Sequence, residues 1–339
     1  MARAIVSASP RFAACARVEL DRALPAGYQR KDLEPGTWLV SAAGPFARLV
    51  AALVPTVFIR HACPVQIETG FDGASDPRTW ATRTLPAVWP RLSGLASSTA
   101  LQVQVRLLVG APAWAPGALV AAVRASLAHA GITTVGGAAP RVLSVVCGPG
   151  CAWLGLAALD QQRSPWPGGI ARLRRVPGEV SRSARKLEEA FRVFDLPPVA
   201  PGGRAIDLGA APGGWTQLLL NRGLRVVAVD TGELAAELRG AAGLQVLRGP
   251  AQRVPLPAGP VDLLTCDLSW DPVRAARCAL RFRPLLRPGA TAVVTVKFFG
   301  QPPPRAVEAA RAQLAAGFQV LSIRHLYHDR AEATAYLRA

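Results

Sequence analysis

The stretch Arg204–Asp230 reads RAIDLGAAPGGWTQLLLNRGLRVVAVD. It contains a short apolar run, a glycine-rich turn, a segment with apolar residues at helical spacing and a second apolar run. This order predicts a strand, a turn, a helix and a second strand, which together form a βαβ unit of the nucleotide-binding type. The turn at 209–214 carries almost no side-chain bulk, so a ligand can lie against its backbone near the amide-rich start of the helix.

The second strand of this unit ends in Asp230, about 20 residues after the first glycine, where an acid in such units binds a ribose diol. The glycine spacing is G-x-x-x-G-G, which lacks the middle glycine of the dinucleotide motif G-x-G-x-x-G that admits a pyrophosphate. S-adenosylmethionine, which has a ribose and no pyrophosphate, is therefore the predicted ligand. The alternative is an α/β domain whose glycines only form a tight turn.

The charge of the chain points to a polyanionic partner. Its 339 residues carry a formal net charge of +17, from 39 basic and 22 acidic side chains. Nucleic acid is the leading candidate, because no apolar run is long enough to span a bilayer. A genome rich in arginine codons is the alternative explanation. The N-terminus lacks the apolar core of a signal peptide, which predicts a cytoplasmic protein without membrane association.

The basic residues are almost all arginines, and the only lysines are Lys31, Lys186 and Lys297. An arginine keeps its proton in a protein, whereas a lysine amine can release it. Lys186 and Lys297 are therefore candidates for amine chemistry, with chance survival of lysine codons as the alternative. The six cysteines and four histidines lack the paired spacing of a metal site, so no metal is predicted.

The length of the chain predicts two or three domains. Residues 1–85 have the pattern of a small α+β module, and residues 86–160 that of a second βαβ-like unit. The proline-rich segment 72–98 predicts turns that connect them. Residues 161–180 predict a linker with a basic surface, which either follows a phosphate backbone or is an ordinary solvated connection. Residues 181–339 predict about seven strands, parallel except for an antiparallel pair at the end.

Four ionisable residues fall where this topology needs reactive groups. Asp267 follows the strand VDLLTC, Lys297 follows TAVVTV and Glu332 opens the last strand. Lys186 lies on the helix that precedes the sheet. Each alone is explained equally well as a surface charge. Ligands of such sheets bind at the carboxyl ends of the strands, so the four together predict one reactive site.

Five segments of the chain match one family in order: SRSARKLEEAF, DLGAAPGGWTQ, VDLLTCDL, VVTVKFF and LYHDRAEAT. The set resembles the FtsJ-like RNA 2'-O-ribose methyltransferases, and most closely their RlmM branch, whose members methylate a cytidine of bacterial 23S ribosomal RNA. The resemblance covers the C-terminal half strongly. It extends more weakly into the N-terminal half, where the branch carries a ferredoxin-like piece and a THUMP RNA-binding domain.

The resemblance implies a Rossmann-like methyltransferase domain over 181–339, a ferredoxin-like module over 1–85 and a THUMP-like domain over 86–160. It also implies a catalytic tetrad of Lys186, Asp267, Lys297 and Glu332. The cofactor contacts that it implies are Ser183, Ala211, Pro212, Gly213, Gly214, Trp215, Asp230 and Asp267.

Methyl transfer to a ribose needs an aligned 2'-hydroxyl and a proton acceptor, because the sulfonium methyl is already activated. We expect Lys297 to be the base and Asp267 to align it, while Lys186 and Glu332 orient the ribose. A lysine accepts a proton only when it is neutral, and the sequence leaves that state open. Pro250 departs from the family pattern, which has an acid there for the adenine end of the cofactor, so we expect a loss of about 1 kcal/mol of affinity.

The predicted activity is S-adenosylmethionine-dependent 2'-O-methylation of a 23S ribosomal RNA cytidine, by a monomer and before subunit assembly. The same chemistry on tRNA or another RNA is the first alternative. An RNA-binding protein with an inactive methyltransferase fold is the second. A nicotinamide-dependent oxidoreductase is the third, and the glycine spacing disfavours it.

Overall fold

A computed structural model describes residues 1–70, 76–93, 100–174 and 176–339 of the chain. The chain divides into two structural units, Met1–Ile170 and Ala171–Ala339. Within the described ranges, no helix combines the length and the apolar composition that a membrane span requires.

The first unit begins with a four-stranded antiparallel sheet and two helices. These elements are β1 (Ala2–Ala8), α1 (Ala13–Ala23), β2 (Gln29–Glu34), β3 (Thr37–Ala42), α2 (Phe46–Leu53) and β4 (Ile59–Pro64). The strand order in the sheet is β2-β3-β1-β4. This βαββαβ arrangement is the ferredoxin-like one, as expected for the start of the chain.

The first unit continues with a mixed five-stranded sheet. Its elements are β5 (Ile67–Gly70), α3 (Pro77–Ser93), β6 (Leu101–Leu107), α4 (Pro116–His129), β7 (Thr134–Val135), β8 (Arg141–Gly148) and β9 (Cys151–Ala158). The strand order is β5-β9-β8-β6-β7. β6 and β8 run parallel with α4 between them, as the alternating pattern predicts. The sheet begins at Ile67, so the boundary expected near residue 85 falls inside α3. The THUMP-like identity of this part stays a prediction.

The expectation of turns over 72–98 is wrong for Pro77–Ser93, which form α3 with Pro86 and Pro90 inside it. An internal proline costs a helix about 3 kcal/mol. Here Trp80, Leu85 and the other apolar residues of one helix face are buried in the core, and this burial offsets the cost. The remaining positions of the predicted turns, 71–75 and 94–99, lie outside the described residues.

The predicted linker does not begin at residue 161, because residues 161–170 belong to the first unit. Arg163 is buried, and its guanidinium donates hydrogen bonds to the carbonyls of Leu53, Thr56 and Ile59. This arginine therefore satisfies backbone groups inside the protein instead of forming a basic surface. Arg175 of the predicted linker lies outside the described residues.

The second unit contains a seven-stranded sheet and four helices. Its elements are α5 (Ala184–Val193), β10 (Arg204–Leu208), α6 (Gly214–Asn221), β11 (Arg225–Asp230), β12 (Leu244–Arg248), β13 (Val261–Cys266), α7 (Pro272–Phe282), β14 (Leu286–Lys297), α8 (Pro303–Leu314), β15 (Gln319–Arg324) and β16 (Glu332–Arg338). The strand order is β12-β11-β10-β13-β14-β16-β15. β16 pairs antiparallel with β14 and β15, whereas the other pairs are parallel. The Rossmann-like methyltransferase sheet is confirmed.

The register of the parallel strands brings their carboxyl ends to one edge of the sheet. Leu208 at the end of β10 is level with Val229 in β11 and with Cys266 in β13. The residues that follow these strands, including the glycine-rich turn and Asp267, therefore lie along the same edge. Ligands of open α/β sheets bind at this edge.

Candidate active site

Four charged side chains from separate elements meet at the carboxyl ends of the parallel strands. Lys186 comes from α5, Asp267 follows β13, Lys297 ends β14 and Glu332 begins β16. The backbone N–H of Asp267 donates to the Leu208 carbonyl at 2.9 Å, which extends the β10–β13 pairing by one residue. Glu332 faces Lys297 in the β14–β16 register. The four residues predicted as a tetrad are thus adjacent in the structure.

These side chains form a closed ring of alternating charge. Lys186 Nζ lies 2.6 Å from Glu332 Oε1 and 3.2 Å from Asp267 Oδ1. Lys297 Nζ lies 2.5 Å from Glu332 Oε2 and 2.9 Å from Asp267 Oδ1. Each carboxylate therefore bridges both lysines, and each lysine contacts both carboxylates.

Burial distinguishes the two lysines of the ring. Only 7% of the Lys186 side chain is exposed, against 18% for Lys297. Burial lowers the pKa of Lys186, but the nearby carboxylates Asp267, Asp329 and Glu332 outweigh this effect and raise the pKa above its ordinary value. Burial raises the pKa of Asp267, and the two lysines outweigh it, so that this pKa is lowered. Lys186 is thus held as a cation.

Two residues that sequence reasoning missed support the ring. The hydroxyl of Thr295, two positions before the end of β14 and hence on the same face as its last residue, donates to Asp267 Oδ1 at 2.9 Å. Asp329 is buried, and it accepts hydrogen bonds from Leu326 N–H at 2.9 Å and from the Thr334 hydroxyl at 3.0 Å. Burial raises the pKa of Asp329 well above its ordinary value. Period-2 spacing in the strand was the available signal for Thr295.

Glu189 fastens the segment before β16 to α5. It lies one helical turn after Lys186 and is buried. Its carboxylate accepts the backbone N–H groups of Tyr327 at 2.7 Å and His328 at 2.9 Å, and its Oε2 lies 2.7 Å from His328 Nδ1. The helix that carries Lys186 is therefore tied to the segment that leads into Glu332. The signal for Glu189 was its i+3 spacing from Lys186.

The glycine-rich turn lies beside Asp230 as expected. Gly209 and Gly213 have φ values of 79° and 118°, which L-residues rarely adopt. Asp230 accepts hydrogen bonds from Ala211 N–H at 3.0 Å and from Gly232 N–H at 2.7 Å. A carboxylate oxygen accepts more than one hydrogen bond. Asp230 can therefore hold the turn and also accept the hydroxyls of a ribose.

Ser183 lies against this turn, at the start of α5. A Cβ atom built on Gly214 would lie 2.6 Å from Ser183 Oγ and 2.9 Å from Ser181 Cβ, so the glycine allows this segment to approach the turn closely. Trp215 is 3% exposed and belongs to the core of the unit, where its Nε1 donates to the Ser183 carbonyl at 2.8 Å. Pro212 is part of the same turn. The structure thus groups the predicted cofactor residues around one backbone surface, which fits the ribose and the adjoining atoms of S-adenosylmethionine, and their cofactor contacts stay predictions.

Pro250 begins a turn and is separated from the end of β12 by Gly249. Its carbonyl accepts hydrogen bonds from Arg253 N–H at 2.8 Å and Val254 N–H at 3.1 Å. The neighbouring Gly249 N–H donates to the backbone carbonyl of Asp230 at 2.8 Å. Pro250 therefore lies close to the end of β11 without offering a carboxylate, and the expected weaker hold on the adenine end stays a prediction.

A cavity of about 850 Å³ opens beside the ion-pair ring. It is lined by residues from the start of α5, from the segments after β13 and β14 and from the segment before β16. These are Ser181, Arg182, Ser183, Arg185, Lys186, Ser269, Lys297, Phe299, Gly300, Tyr327, His328, Arg330, Ala331 and Glu332. The ring thus forms part of a cavity wall that is rich in cationic groups. Across the described part of the chain, no group of His, Cys, Asp and Glu is arranged to hold a metal ion.

Residues 179–332 match the family described as FtsJ-like methyltransferase. Two curated relatives are each called ribosomal RNA large subunit methyltransferase M. The relative from Laribacter hongkongensis (strain HLHK9) is 40% identical over 190 residues, which is 52% of this chain and 53% of the relative. The relative from Methylococcus capsulatus (strain ATCC 33009 / NCIMB 11132 / Bath) is 38% identical over 221 residues, which is 62% of this chain and 61% of the relative.

The chain therefore spans little more than half of the length of these relatives. Among solved structures, TrmN from Thermus thermophilus is similar over 100% of this chain and 99% of that chain, with 18% identity and a TM-score of 0.40. The match of residues 179–332 to FtsJ-like methyltransferases agrees with the resemblance of the C-terminal half.

Proposed function

We propose that this chain transfers a methyl group from S-adenosylmethionine to the ribose 2'-hydroxyl of a cytidine in 23S ribosomal RNA. The observation that carries the proposal is the ring in which Lys297 contacts Asp267 and Glu332 at the edge of a large basic cavity. The FtsJ-like domain and the relatives named for ribosomal RNA methylation support the reaction and the substrate class.

The cofactor supplies an activated sulfonium methyl group when it is bound. Asp230 would accept hydrogen bonds from its ribose, and the glycine-rich turn would lie against it. Asp267 belongs to the ring and also follows β13, at the strand edge where it would contact the cofactor. Alignment of the methyl group with the acceptor oxygen supplies much of the rate, because the methyl group is already reactive.

The remaining requirement is a proton acceptor. As the new bond between the 2'-oxygen and the methyl carbon forms and the carbon–sulfur bond breaks, the 2'-hydroxyl proton passes to the amine of Lys297, which accepts it only in the unprotonated form. The ring then holds two cations and two carboxylates, so Asp267 and Glu332 stabilise the ammonium as it develops. Lys186, held as a cation, keeps both carboxylates in place and orients the ribose together with Glu332.

The test is methyl transfer from labelled S-adenosylmethionine to protein-free 23S ribosomal RNA, with the wild type beside Lys297→Ala. We expect the label on a 2'-O-methylated cytidine, and its loss in the variant. If the label appears on tRNA and not on 23S RNA, the proposed reaction stands but the substrate is tRNA. RNA binding without transfer to either RNA would favour a binding protein with an inactive methyltransferase fold.

Three further features belong to this proposal. The substrate is free 23S RNA before subunit assembly, because a ribose edge in unpaired RNA is reachable there. The first unit, with its ferredoxin-like sheet and THUMP-like part, holds this RNA. The protein acts as a monomer in the cytoplasm, where such a substrate is made.

A further inference from the structure

Two exposed aromatic side chains lie in the wall of the cavity beside the ion-pair ring. Phe299 is 55% exposed and Tyr327 is 41% exposed, although rings of this size normally contribute to the core. Both line the cavity of about 850 Å³ to which Lys297 also contributes. Both side chains are therefore partly accessible to a molecule that enters this cavity.

The backbone at Phe299 holds this ring in the cavity wall. Its φ of 43° is in the left-handed region, which is unusual for a bulky residue. The preceding Phe298 is buried, at 3% exposure, so consecutive aromatic residues point to different environments. Phe298 N–H donates to the Ala331 carbonyl at 2.9 Å, and Gln301 N–H donates to the Phe298 carbonyl at 2.9 Å. Strained residues that the surroundings hold in place are concentrated at functional sites.

Hydrogen bonds and a contact between side-chain rings also hold the segment that carries Tyr327. Tyr327 N–H donates to the buried Glu189 carboxylate, and the tyrosine ring contacts the His328 ring edge-on at a centroid distance of 5.2 Å. The Phe298–Ala331 hydrogen bond joins the two ring-bearing segments directly. The backbones that carry the Phe299 and Tyr327 side chains are thus ordered before any ligand enters. This order lowers the entropy cost of binding.

The charges around the cavity favour an anionic ligand. Arg182 and Arg330 line it and are exposed, whereas Arg185 is neutralised by Glu179 through paired hydrogen bonds of 3.2 and 2.9 Å. Glu332 is the carboxylate among the lining residues, and both lysines of the ring already contact it. Aromatic faces combined with cationic groups at the rim are the features of sites for single-stranded nucleic acid.

We propose that this cavity is a subsite for one unstacked nucleotide of the RNA substrate. Phe299 and Tyr327 stack against its base, Arg182 and Arg330 hold the flanking phosphates, and its ribose reaches Lys297. This inference rests on the proposed function. Ligand sites for molecules of this size occupy about 300–1,000 Å³, so one nucleotide fits. The substrate is therefore RNA whose target nucleotide lies outside a continuous helix or is extruded from it.

The kinetic test measures kcat and KM for protein-free 23S ribosomal RNA with Phe299→Ala, Tyr327→Ala, the double variant and Tyr327→Phe. Val246→Ala is the matched control, because Val246 is also exposed (51%) but lies on the edge strand β12. We expect each ring deletion to raise KM for RNA about tenfold, at unchanged affinity for S-adenosylmethionine. Tyr327→Phe and the control keep the wild-type KM. An unchanged KM in the double variant overturns the subsite.

A binding test separates this inference from the proposed function. The probe is a single-stranded RNA hexamer with 2-aminopurine at an internal position, whose fluorescence is quenched when the base stacks on an aromatic ring. Quenching by the wild type that is lost in the double variant supports the subsite, even if no RNA is methylated and the proposed function fails. If the protein methylates RNA but neither KM nor quenching changes when Phe299 and Tyr327 are replaced, the subsite is rejected and the proposed function stands. Absence of both transfer and quenching rejects both.

Discussion

Lys297 and Glu332 face each other across the antiparallel strands β14 and β16, and Lys297 Nζ lies 2.5 Å from Glu332 Oε2. The pair stands at the last residue of one strand and the first of the other, at the edge where the parallel strands end. Since β16 runs opposite to β14, its beginning lies at their carboxyl ends. Because β16 is antiparallel to β14, Glu332 lies at this edge and is the second carboxylate of the site, besides Asp267.

Replacing Lys297 with arginine tests its role as the base. Lys297→Arg places a permanent cation in the ring that cannot accept a proton, so we expect kcat to fall by about 100-fold or more. The measurement is single-turnover methyl transfer, together with the dissociation constant for S-adenosylmethionine. This constant should change less than about twofold, because the substitution leaves Asp230 and the glycine-rich turn intact. Lys31→Arg is the matched control, because Lys31 is an exposed lysine of β2 in the first unit. Near-normal turnover in Lys297→Arg would mean that another group accepts the proton.

Asp230→Asn should weaken cofactor binding. The substitution removes a charged acceptor, and hydrogen bonds to charged groups contribute about 1.5–3 kcal/mol, so the dissociation constant should rise about 10- to 100-fold by calorimetry. Glu233→Gln is the control, because Glu233 is exposed and pairs with Arg248 at the surface. If Asp230→Asn and the wild type bind S-adenosylmethionine with equal affinity, Asp230 does not bind the ribose of the cofactor.

Pro250→Asp should strengthen cofactor binding. Pro250 lies next to the end of β11 but offers no side-chain acceptor, whereas an aspartate there could accept from the adenine amino group. We expect a gain of about 1 kcal/mol, or roughly a fivefold lower dissociation constant. A lower or unchanged affinity, measured by calorimetry with the fold confirmed by circular dichroism, would contradict the assignment of this turn to the adenine end.

Glu189→Gln should loosen the segment before β16. Three donors from Tyr327 and His328 converge on the buried Glu189 carboxylate, and an amide retains one of its two acceptor oxygens. We expect a loss of about 1–3 kcal/mol of stability, seen as a lower melting temperature, and a lower kcat at unchanged cofactor affinity. Glu188→Gln is the neighbouring control, because Glu188 pairs with Arg192 and Arg222 near the surface. An unchanged kcat would show that Glu189 does not position the ring.

Asp207 should make stability depend on pH. It is fully buried between the hydroxyls of Thr216 and Thr265, and burial raises its pKa from 3.8 to about 6. The folded state therefore binds its proton more tightly than the unfolded state. The resulting stabilisation is complete below pH 3.8 and is lost as the pH rises to about 6.

Asp207→Asn keeps the shape of this side chain without its titration. The melting temperature of the wild type should therefore decrease relative to the variant between pH 4 and pH 6, and the difference should stay constant above that range. The largest relative change in unfolding free energy is about 3 kcal/mol. A constant difference between the two proteins over the whole range would show that Asp207 is not neutralised by burial.

The sequence by itself determined those features that short-range patterns encode. Apolar runs, glycines and helix punctuation between Arg204 and Asp230 were sufficient to predict the βαβ unit, because strand, turn and helix each have a local periodicity. The rarity of lysine singled out Lys186 and Lys297, and the family resemblance added Asp267 and Glu332 to the predicted site.

Only the tertiary structure decided which distant groups touch. α3 forms despite Pro86 and Pro90, because its apolar face is buried by residues far away in the chain. Arg163 is internal because distant carbonyls accept its hydrogen bonds. The hydrogen bonds of Glu189 could not be predicted from local sequence either, since its partners lie 138 and 139 residues further along the chain. Local sequence patterns indicate which face of a helix or strand is apolar. Ion pairs and buried hydrogen bonds depend instead on how separate elements pack, and this packing involves residues far apart in the chain.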